Sequence, residues 1–529
     1  APRALAGLFV LMAVLGALTL PAYGYAFDVM AATLRTFAPV ESGYAAFTVL
    51  THFIPAVMMI PTTVVAGMTL PLMTHYLFKA GSGEQAIGKV YAANTVGAIA
   101  GVLIAIHLLL PKLNTKGAVM TAALVQVGIA ALFMARARRT SLSIPSLAVG
   151  LCAVLGIALT VRIDPMRMAS GVYRTGQAQL PPDTQVLFLR DGKTATISLV
   201  KHDDTVFIAT NGKTDASINM GGGPPEPDEI TMTMAAALPL SMHANPERIA
   251  NIGIGSGLTS HVLLTSPTVK LLDSIEIEPA MAEAARIGFG PRVSKLFTDP
   301  RSQVHFEDAK TFFAIARKPY DVIISEPSNP WVSGVASLFS QEFYRHVKRY
   351  LAKDGLLVQW VQIYETDITV VASIVKALSA QFPEYAIYNT DDANLLIVAS
   401  PAGKIPPLRA DIFDGPVGVE LRKVGMESMA DFDIRRVGSS QTLQPLFASF
   451  PVPANSDYFP FVDLIAPKMR FMRRDALGIS SLRDRPAPFM ELAGEPSSVE
   501  TPVRSTKPQF LMRQRRVFLA LEVVDTLTG

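Results

Sequence analysis

Long apolar stretches fill the first third of the chain and predict helices that cross a membrane. They span residues 4–21, 44–78, 90–110, 118–134 and 144–161. Each stretch is apolar around the whole helical circumference, and each is near or above the length that crosses a hydrocarbon core of about 30 Å. Residues 1–165 are therefore predicted to form a transmembrane domain of about five α-helices. Prolines inside the second stretch predict that its helix is kinked or split.

The pattern changes to short alternating segments after a polar, turn-rich linker. Three such segments lie at residues 185–189, 194–200 and 205–210. Turn-forming pairs such as Asn211-Gly212 follow each of them, which is typical of β-hairpins. Residues 166–235 are therefore predicted to hold the linker and a small antiparallel β-domain.

Strand-like and helix-like stretches alternate from residue 236 to about residue 400. This order predicts a Rossmann-like α/β domain of the methyltransferase type, built on a doubly wound parallel sheet. Ligands of such sheets bind beyond the carboxyl ends of the strands. Residues 401–529 are assigned to a C-terminal α/β extension and tail.

A glycine turn marks the first strand end of this domain. The apolar run that begins at Ile249 leads into Gly253, Gly255 and Gly257, and a second strand ends at Glu276. Glycines allow close approach of a ligand to the backbone, and a carboxylate at the second strand end can accept hydrogen bonds from ribose hydroxyls. The pattern predicts a nucleoside site, and both dinucleotides and S-adenosyl compounds satisfy it.

A second candidate lies in the loop Ser325-Glu-Pro-Ser-Asn-Pro-Trp331. Two prolines stiffen this loop and hold Glu326 and Asn329 at the same edge of the predicted sheet. Such groups can orient and deprotonate a nucleophile. A purely structural turn, in which Glu326 caps a helix and Asn329 bonds its own backbone, fits the pattern equally well.

Composition narrows the choice of partner. Only 17% of the 529 residues are charged, and the formal net charge is +3. Without a basic tail or stripe, no nucleic-acid partner is predicted. The single cysteine excludes an internal disulfide and a cysteine-based metal cluster, and no metal is expected.

Several motifs in order along the chain make residues 185–400 resemble the spermidine synthase (aminopropyltransferase) family. They are Asn211-Gly-Lys213, Gly253-Ile-Gly-Ser-Gly257, Glu276-Ile-Glu278, Asp299-Pro-Arg301, Glu307-Asp-Ala309, Tyr320-Asp321 and Gly355-Leu-Leu-Val358. The whole chain is similar to bacterial membrane-fused relatives of that family, on the motifs that begin at Gly67 and Gly88 and on Asn455-Ser-Asp457. The resemblance implies that the three glycines face an S-adenosyl compound, that Glu276 binds its ribose, and that Asp308 binds its adenine amino group.

The chain departs from the family pattern on the amine side of the site. The family carries Asp-Ser-Ser-Asp-Pro where this chain has Glu326-Pro-Ser-Asn329-Pro330, and it carries Asp where Ser256 stands. A diamine is dicationic at neutral pH, so a neutral Asn329 in place of a carboxylate predicts weaker attraction for its second ammonium. This departure puts putrescine in doubt as the acceptor.

The expected protein is a transferase of the bacterial inner membrane with a cytoplasmic soluble domain. It would move an aminopropyl group from decarboxylated S-adenosylmethionine to an amine, with Glu326 and Asn329 as catalytic residues. A methyltransferase that uses S-adenosylmethionine on a membrane-associated acceptor is one alternative, and a non-catalytic membrane subunit that retains the fold is another. The lipid bilayer is an expected partner, and the sequence also allows a homo-oligomer or a subunit of a membrane complex.

Overall fold

The computed structural model describes residues 2–136, 143–315 and 318–483. The chain forms two compact units. Ser42–Val200 makes up most of the first, and residues from Thr214 onward make up most of the second. The predicted tail beyond residue 483 lies outside the described residues.

The first unit is largely helical. Its helices are Pro2–Thr36, Glu41–Gly67, Thr69–Leu77, Gln85–Ile104, Leu110–Arg136 and Ser143–Thr160, with π-helical turns at Phe78–Ser82 and Ala105–Leu109 and short helices at Pro165–Met168 and Val172–Thr175. Within the described ranges, three continuous stretches are long and apolar enough to span a membrane: Pro2–Thr36, Glu41–Gly81 and Gln85–Arg136. Pro145–Thr160 is a shorter apolar helix.

The described part of the structure has three long apolar stretches where the sequence predicted about five helices. The backbone between neighbouring runs explains the difference. The predicted runs 90–110 and 118–134 both fall inside the stretch Gln85–Arg136. Asn114 interrupts the helical backbone between them, with φ 56° and ψ 179°. The second predicted run is also divided, because one helix ends at Gly67 and the next begins at Thr69.

A four-stranded sheet follows, with strands β1 (Thr184–Asp191), β2 (Thr196–His202), β3 (Thr205–Thr210) and β4 (Lys213–Asn219). The strands are neighbours in chain order. Two-residue turns join β2 to β3 and β3 to β4, so these neighbours run antiparallel. Asn211 and Gly212 both have positive φ in the second of these turns, as a tight hairpin requires.

The second unit is built on an eight-stranded sheet. Its strands are β5 (Arg248–Ile252), β6 (Leu271–Glu276), β7 (Ser302–Phe306), β8 (Tyr320–Ser325), β9 (Leu351–Gln362), β10 (Glu384–Asn389), β11 (Asn394–Ser400) and β12 (Arg436–Ser439). They lie in the order β12-β10-β11-β9-β8-β5-β6-β7. The predicted Rossmann-like sheet is present, with parallel pairing from β7 through β9. The parallel pairing does not extend to the other end of the sheet, where β11 runs antiparallel to β9 and β10, and β12 antiparallel to β10.

Helices cover both faces of this sheet. They are Pro227–Met242, Leu258–Leu263, Pro279–Phe289, Ser294–Thr298, Ala309–Ile315, Gln341–Lys348, Ile368–Ser379, Pro416–Lys423, Met429–Asp433, Ser440–Ser449 and Phe461–Phe471, with 3-10 helices at Val335–Phe339, Ala410–Phe413 and Leu477–Arg483. Cover on both faces explains why β5, β8 and β11 are buried along almost their whole length. The carboxyl ends of β5, β6 and β8 therefore meet at one edge, where the candidate side chains lie.

Candidate active site

The glycine turn connects β5 to the helix Leu258–Leu263. A Cβ atom on Gly253 would lie 2.4 Å from the carbonyl oxygen of Glu326, so this glycine lets the two loops touch. Gly255 also has positive φ (51°), but a Cβ atom there would meet only the Ala216 methyl group, at 3.7 Å. The backbone at Gly255 therefore borders open space, as close approach of a ligand requires.

Glu276 ends β6 beside this turn and is buried. Its carboxylate accepts hydrogen bonds from the backbone N–H of Ile254 (3.1 Å) and from that of Glu278 (3.0 Å). Burial raises the pKa of Glu276 to about 7, against the lowering effect of these two bonds, and the charges of Asp215 and Glu278 raise it further. The glycine turn thus fixes the carboxylate that the sequence assigned to a ribose.

Glu326 follows β8 directly, and its N–H donates to the carbonyl of Ile252 in the neighbouring strand. Burial raises the pKa of Glu326 to about 8, although a side-chain hydrogen bond with Thr259 lowers it. Its backbone position between two strand ends is not that of a helix cap. A carboxyl group with this pKa is poised to exchange a proton near neutral pH.

Asn329 is 0% exposed, in the same loop. The Tyr364 hydroxyl donates to Asn329 Oδ1 at 3.4 Å, and Asn329 Nδ2 has no hydrogen-bond partner in the part of the chain that the structure describes. The turn around it is closed by the Asn329 carbonyl, which accepts from the N–H of Val332. A buried amide donor without a partner is available to a bound substrate.

Unlike Glu276 and Asn329, Asp308 is exposed. Its Oδ1 accepts from the N–H (3.0 Å) and hydroxyl (3.3 Å) of Thr311. The carboxylate therefore caps the helix Ala309–Ile315. The preceding residue, Glu307, donates its N–H to the carbonyl of Glu276, which keeps Asp308 near the carboxyl end of β6. Its role toward adenine stays a prediction.

The sequence pattern did not indicate three further residues of the site. Asp215 on β4 accepts a hydrogen bond from the Ser328 hydroxyl (2.7 Å), and Thr259 and Tyr364 contact Glu326 and Asn329. Asp215 is the third residue after the Asn211-Gly212 turn, in a segment whose pattern indicated only a hairpin. Its proximity to the site depends on tertiary packing, which no local pattern reports.

Two of the motifs that suggested the family have structural roles. Arg301 donates to the carbonyls of Ser266 (2.9 Å) and Val269 (2.8 Å) and pairs with Asp299, whose pKa falls to about 2 because of that guanidinium. Asn455 is buried and donates to the carbonyls of Ala336 and Phe339. These side chains hold loops in place rather than facing the site.

Comparisons with known proteins find a match between this region and one protein family. Residues 229–391 match the family model described as spermine/spermidine synthase domain. The polyamine aminopropyltransferase of Streptococcus pneumoniae is 26% identical over 178 residues, which cover 33% of this chain and 60% of that relative. That of Alkaliphilus metalliredigens is 30% identical over 173 residues, 30% of this chain and 60% of the relative.

Structural comparison finds the spermidine synthase of Thermotoga maritima. It is 21% identical with a TM-score of 0.37, and the match covers 46% of this chain and 88% of that one. The chain spans about 60% of the length of the curated relatives quoted above. The matched residues 229–391 include the glycine turn, Glu276, Glu326 and Asn329.

Proposed function

We propose that this protein, whose Rossmann-type domain is spermidine synthase-like, is a membrane-anchored aminopropyltransferase. It would move an aminopropyl group from decarboxylated S-adenosylmethionine to an amine acceptor. One observation carries the proposal: within the matched region, the carboxylate suited to a ribose (Glu276) and the carboxyl suited to an attacking amine (Glu326) stand on two sides of one glycine turn.

The residues present fit an S-adenosyl co-substrate. Gly255 leaves the backbone open to a ligand, and Glu276 offers a carboxylate held by two backbone N–H groups. Asp215, near Glu276, adds negative charge, which favours a cationic sulfonium. When bound, the co-substrate supplies an activated carbon and a good leaving group.

The chain's own residues then position and deprotonate the acceptor. The Asn329 amide orients the amine, and Glu326 takes the proton that the amine loses as it attacks the carbon next to sulfur. The new C–N bond forms as the C–S bond breaks, its electron pair leaves with methylthioadenosine, and the proton stays on Glu326. Positioning of the two reactants contributes most of the acceleration.

The proposal predicts release of methylthioadenosine from decarboxylated S-adenosylmethionine when the full chain, purified in detergent, is given amine acceptors. Mass spectrometry would detect this nucleoside together with an acceptor that has gained one aminopropyl group. Ordinary S-adenosylmethionine serves as the comparison donor. Release of S-adenosylhomocysteine from it would instead identify a methyltransferase, and failure to bind either donor would identify a non-catalytic subunit.

The apolar helices of the first unit support membrane anchoring, because three stretches have the length and hydropathy of membrane spans. We expect the soluble domain to face the cytoplasm, where S-adenosyl compounds are made. A reporter fused after Gly529 should therefore be active only in its cytoplasmic form. A reporter active only in the periplasm would contradict this topology and make the proposed donor inaccessible.

A further inference from the structure

A cavity of about 660 Å³ lies in the first unit, where the apolar helix Ser143–Thr160 ends. Its walls come from the residues around Asn114, from the stretch after that apolar helix and from the end of β1. They include Leu113, Lys116, Met120, Arg162, Ile163 and Leu189. A smaller cavity of about 220 Å³, beside the helix Pro2–Thr36, shares three lining residues with it: Arg162, Ile163 and Met168.

One wall of the larger cavity is apolar. Met120 and Ile163 belong to the hydrophobic cluster in which the helices Pro2–Thr36, Leu110–Arg136 and Ser143–Thr160 pack together. The first two of these helices lie in stretches long and apolar enough to span a membrane. The apolar wall therefore continues the packing of the proposed membrane helices, and it suits a hydrocarbon chain better than a polar solute.

Two cations line the same cavity without an acidic partner. Arg162 is exposed at its edge, and no hydrogen bond or ion pair to Arg162 occurs within the described ranges. Lys116 Nζ donates to the carbonyl of Val161 at 2.7 Å, and no carboxylate pairs with it in the same part of the chain. An ammonium group has three donors, so two of those on Lys116 are available to a ligand.

Asp191, at the end of β1, is the carboxylate in the wall of the larger cavity, and its bonds lie within the protein. Asn114 interrupts the helix, and Asp191 accepts from the N–H (2.8 Å) and hydroxyl (2.6 Å) of the next residue, Thr115. The Thr196 hydroxyl donates to it as well, at 2.7 Å. Partial positive charge at the start of a helical segment stabilises such a carboxylate. Asp191 therefore caps the segment that follows Asn114.

The carboxylates of the smaller cavity also have partners. Asp28 forms an ion pair with Arg167 at 2.7 Å. Asp164 accepts from the N–H of Met166 (2.9 Å) and from the Gln179 amide (2.7 Å). The charges that remain to bind a ligand in the two adjoining cavities are therefore positive.

We propose that the larger cavity binds one anionic phospholipid. Lys116 and Arg162 bind the phosphate of its headgroup, and the wall that contains Met120 and Ile163 contacts an acyl chain. The inference rests on the proposed membrane anchoring and goes beyond it, because it gives the helical unit a specific lipid ligand. Asn114 supports it, since strained backbone at a residue other than glycine is common where a ligand is held.

Native mass spectrometry on the full chain, stripped of lipid in a nonionic detergent, tests this cavity. The probes are phosphatidylglycerol and phosphatidylethanolamine with the same acyl chains, which differ in headgroup charge. We expect one phosphatidylglycerol per chain, bound about tenfold or more tightly than phosphatidylethanolamine, because each Lys or Arg contributes about fivefold to attraction of an anionic headgroup. Equal binding of the two lipids would overturn the proposal.

The double variant Lys116→Gln/Arg162→Gln should lose most of this preference. Its matched control is Arg35→Gln/Lys79→Gln, a change at two exposed basic residues of the same unit that do not line the cavity. The control should keep the preference. If the double variant does not fold, Arg162→Gln alone removes no bond within the described residues and should weaken phosphatidylglycerol binding by about fivefold.

A cavity-filling variant distinguishes a lipid site from a charged surface. Leu189→Trp keeps both cations and occupies the cavity with an indole ring, so phosphatidylglycerol binding should weaken. Leu187→Trp is the control, because Leu187 is 39% exposed on the same strand and outside the cavity lining. Undiminished binding in Leu189→Trp would overturn the cavity. Equally tight binding of glycerol 3-phosphate would also overturn the lipid assignment, since the apolar wall would then contribute nothing.

The outcomes separate this inference from the proposed function. Carbonate extraction of membranes measures anchoring independently of lipid preference. A chain that stays in the extracted membranes but binds both lipids equally would retain the anchoring and reject the cavity. Preference for phosphatidylglycerol without release of methylthioadenosine from decarboxylated S-adenosylmethionine would retain the cavity and reject aminopropyl transfer.

Discussion

Glu326→Gln is expected to lower turnover by about 10²–10⁴-fold, the usual contribution of a positioned general base. The amide has nearly the shape of the carboxyl group and can keep a hydrogen bond with Thr259, but it cannot take a proton from the amine. Binding of methylthioadenosine should be unchanged, because the proposed contacts to the nucleoside come from Glu276 and the glycine turn. Glu427→Gln, a change at an exposed carboxylate of the same unit, is the matched control.

The pH dependence of kcat/KM tests whether Glu326 is the group that takes the proton. Because burial raises the pKa of Glu326 to about 8, the ionised form that accepts a proton is the minor one at pH 7. The ratio kcat/KM should therefore increase as pH rises through about 8 in the unmodified protein. The ionisation of the substrate amine near pH 10 increases the rate in both proteins. The step near 8 should be absent from the Gln variant, and full activity or an unchanged profile in that variant would show that another group takes the proton.

Local sequence patterns were enough to predict that the residues proposed to bind the nucleoside lie together. Gly253, Gly255 and Glu276 follow strand ends that are close together in any parallel sheet, so chain order alone brings them together. The structure has these residues at one edge, with Glu276 bonded to the backbone of the glycine turn. The same reasoning predicted the position of Glu326 after β8.

The antiparallel end of the sheet could not be predicted in this way. Asn394 and Gln362 look like ordinary polar positions at the ends of β11 and β9. They come together because β11 inserts antiparallel beside β9, which pairs Asn394 with Gln362. An apolar strand buried on both faces has no alternation that would indicate its direction, so neither the insertion nor the contact is visible in the sequence.

Sequence-based prediction has a similar limit in the helical unit. Hydropathy located the apolar runs, but continuity of a helix depends on backbone conformation at single residues. Asn114 has a positive φ with an extended ψ, a combination rarely found outside glycine. Nothing in the polar stretch around it distinguishes this break from an ordinary loop between two spans.

Gly255→Val is expected to weaken methylthioadenosine binding by about 100-fold or more, equivalent to about 2.7 kcal/mol. Valine would place its branched side chain in the open space beside the turn, where the ligand has to approach the backbone. The fold should tolerate the change, because the left-handed conformation costs a residue with a side chain roughly 1–2 kcal/mol, below the 5–15 kcal/mol typical of domain stability. Calorimetry would measure the affinity, and circular dichroism would confirm folding.

Gly403→Val separates loss of the ligand site from backbone strain. Gly403 also has positive φ (77°) with nothing near its Cβ position, and it lies in a turn after β11. Its substitution should have a similar strain cost and leave methylthioadenosine binding unchanged. Gly253 could not serve as this control, because a Cβ atom there would collide with the Glu326 carbonyl and disturb the site itself. If Gly255→Val and Gly403→Val bind the nucleoside equally well, the ligand does not approach the backbone at Gly255, and the glycine turn serves only to join β5 to its helix.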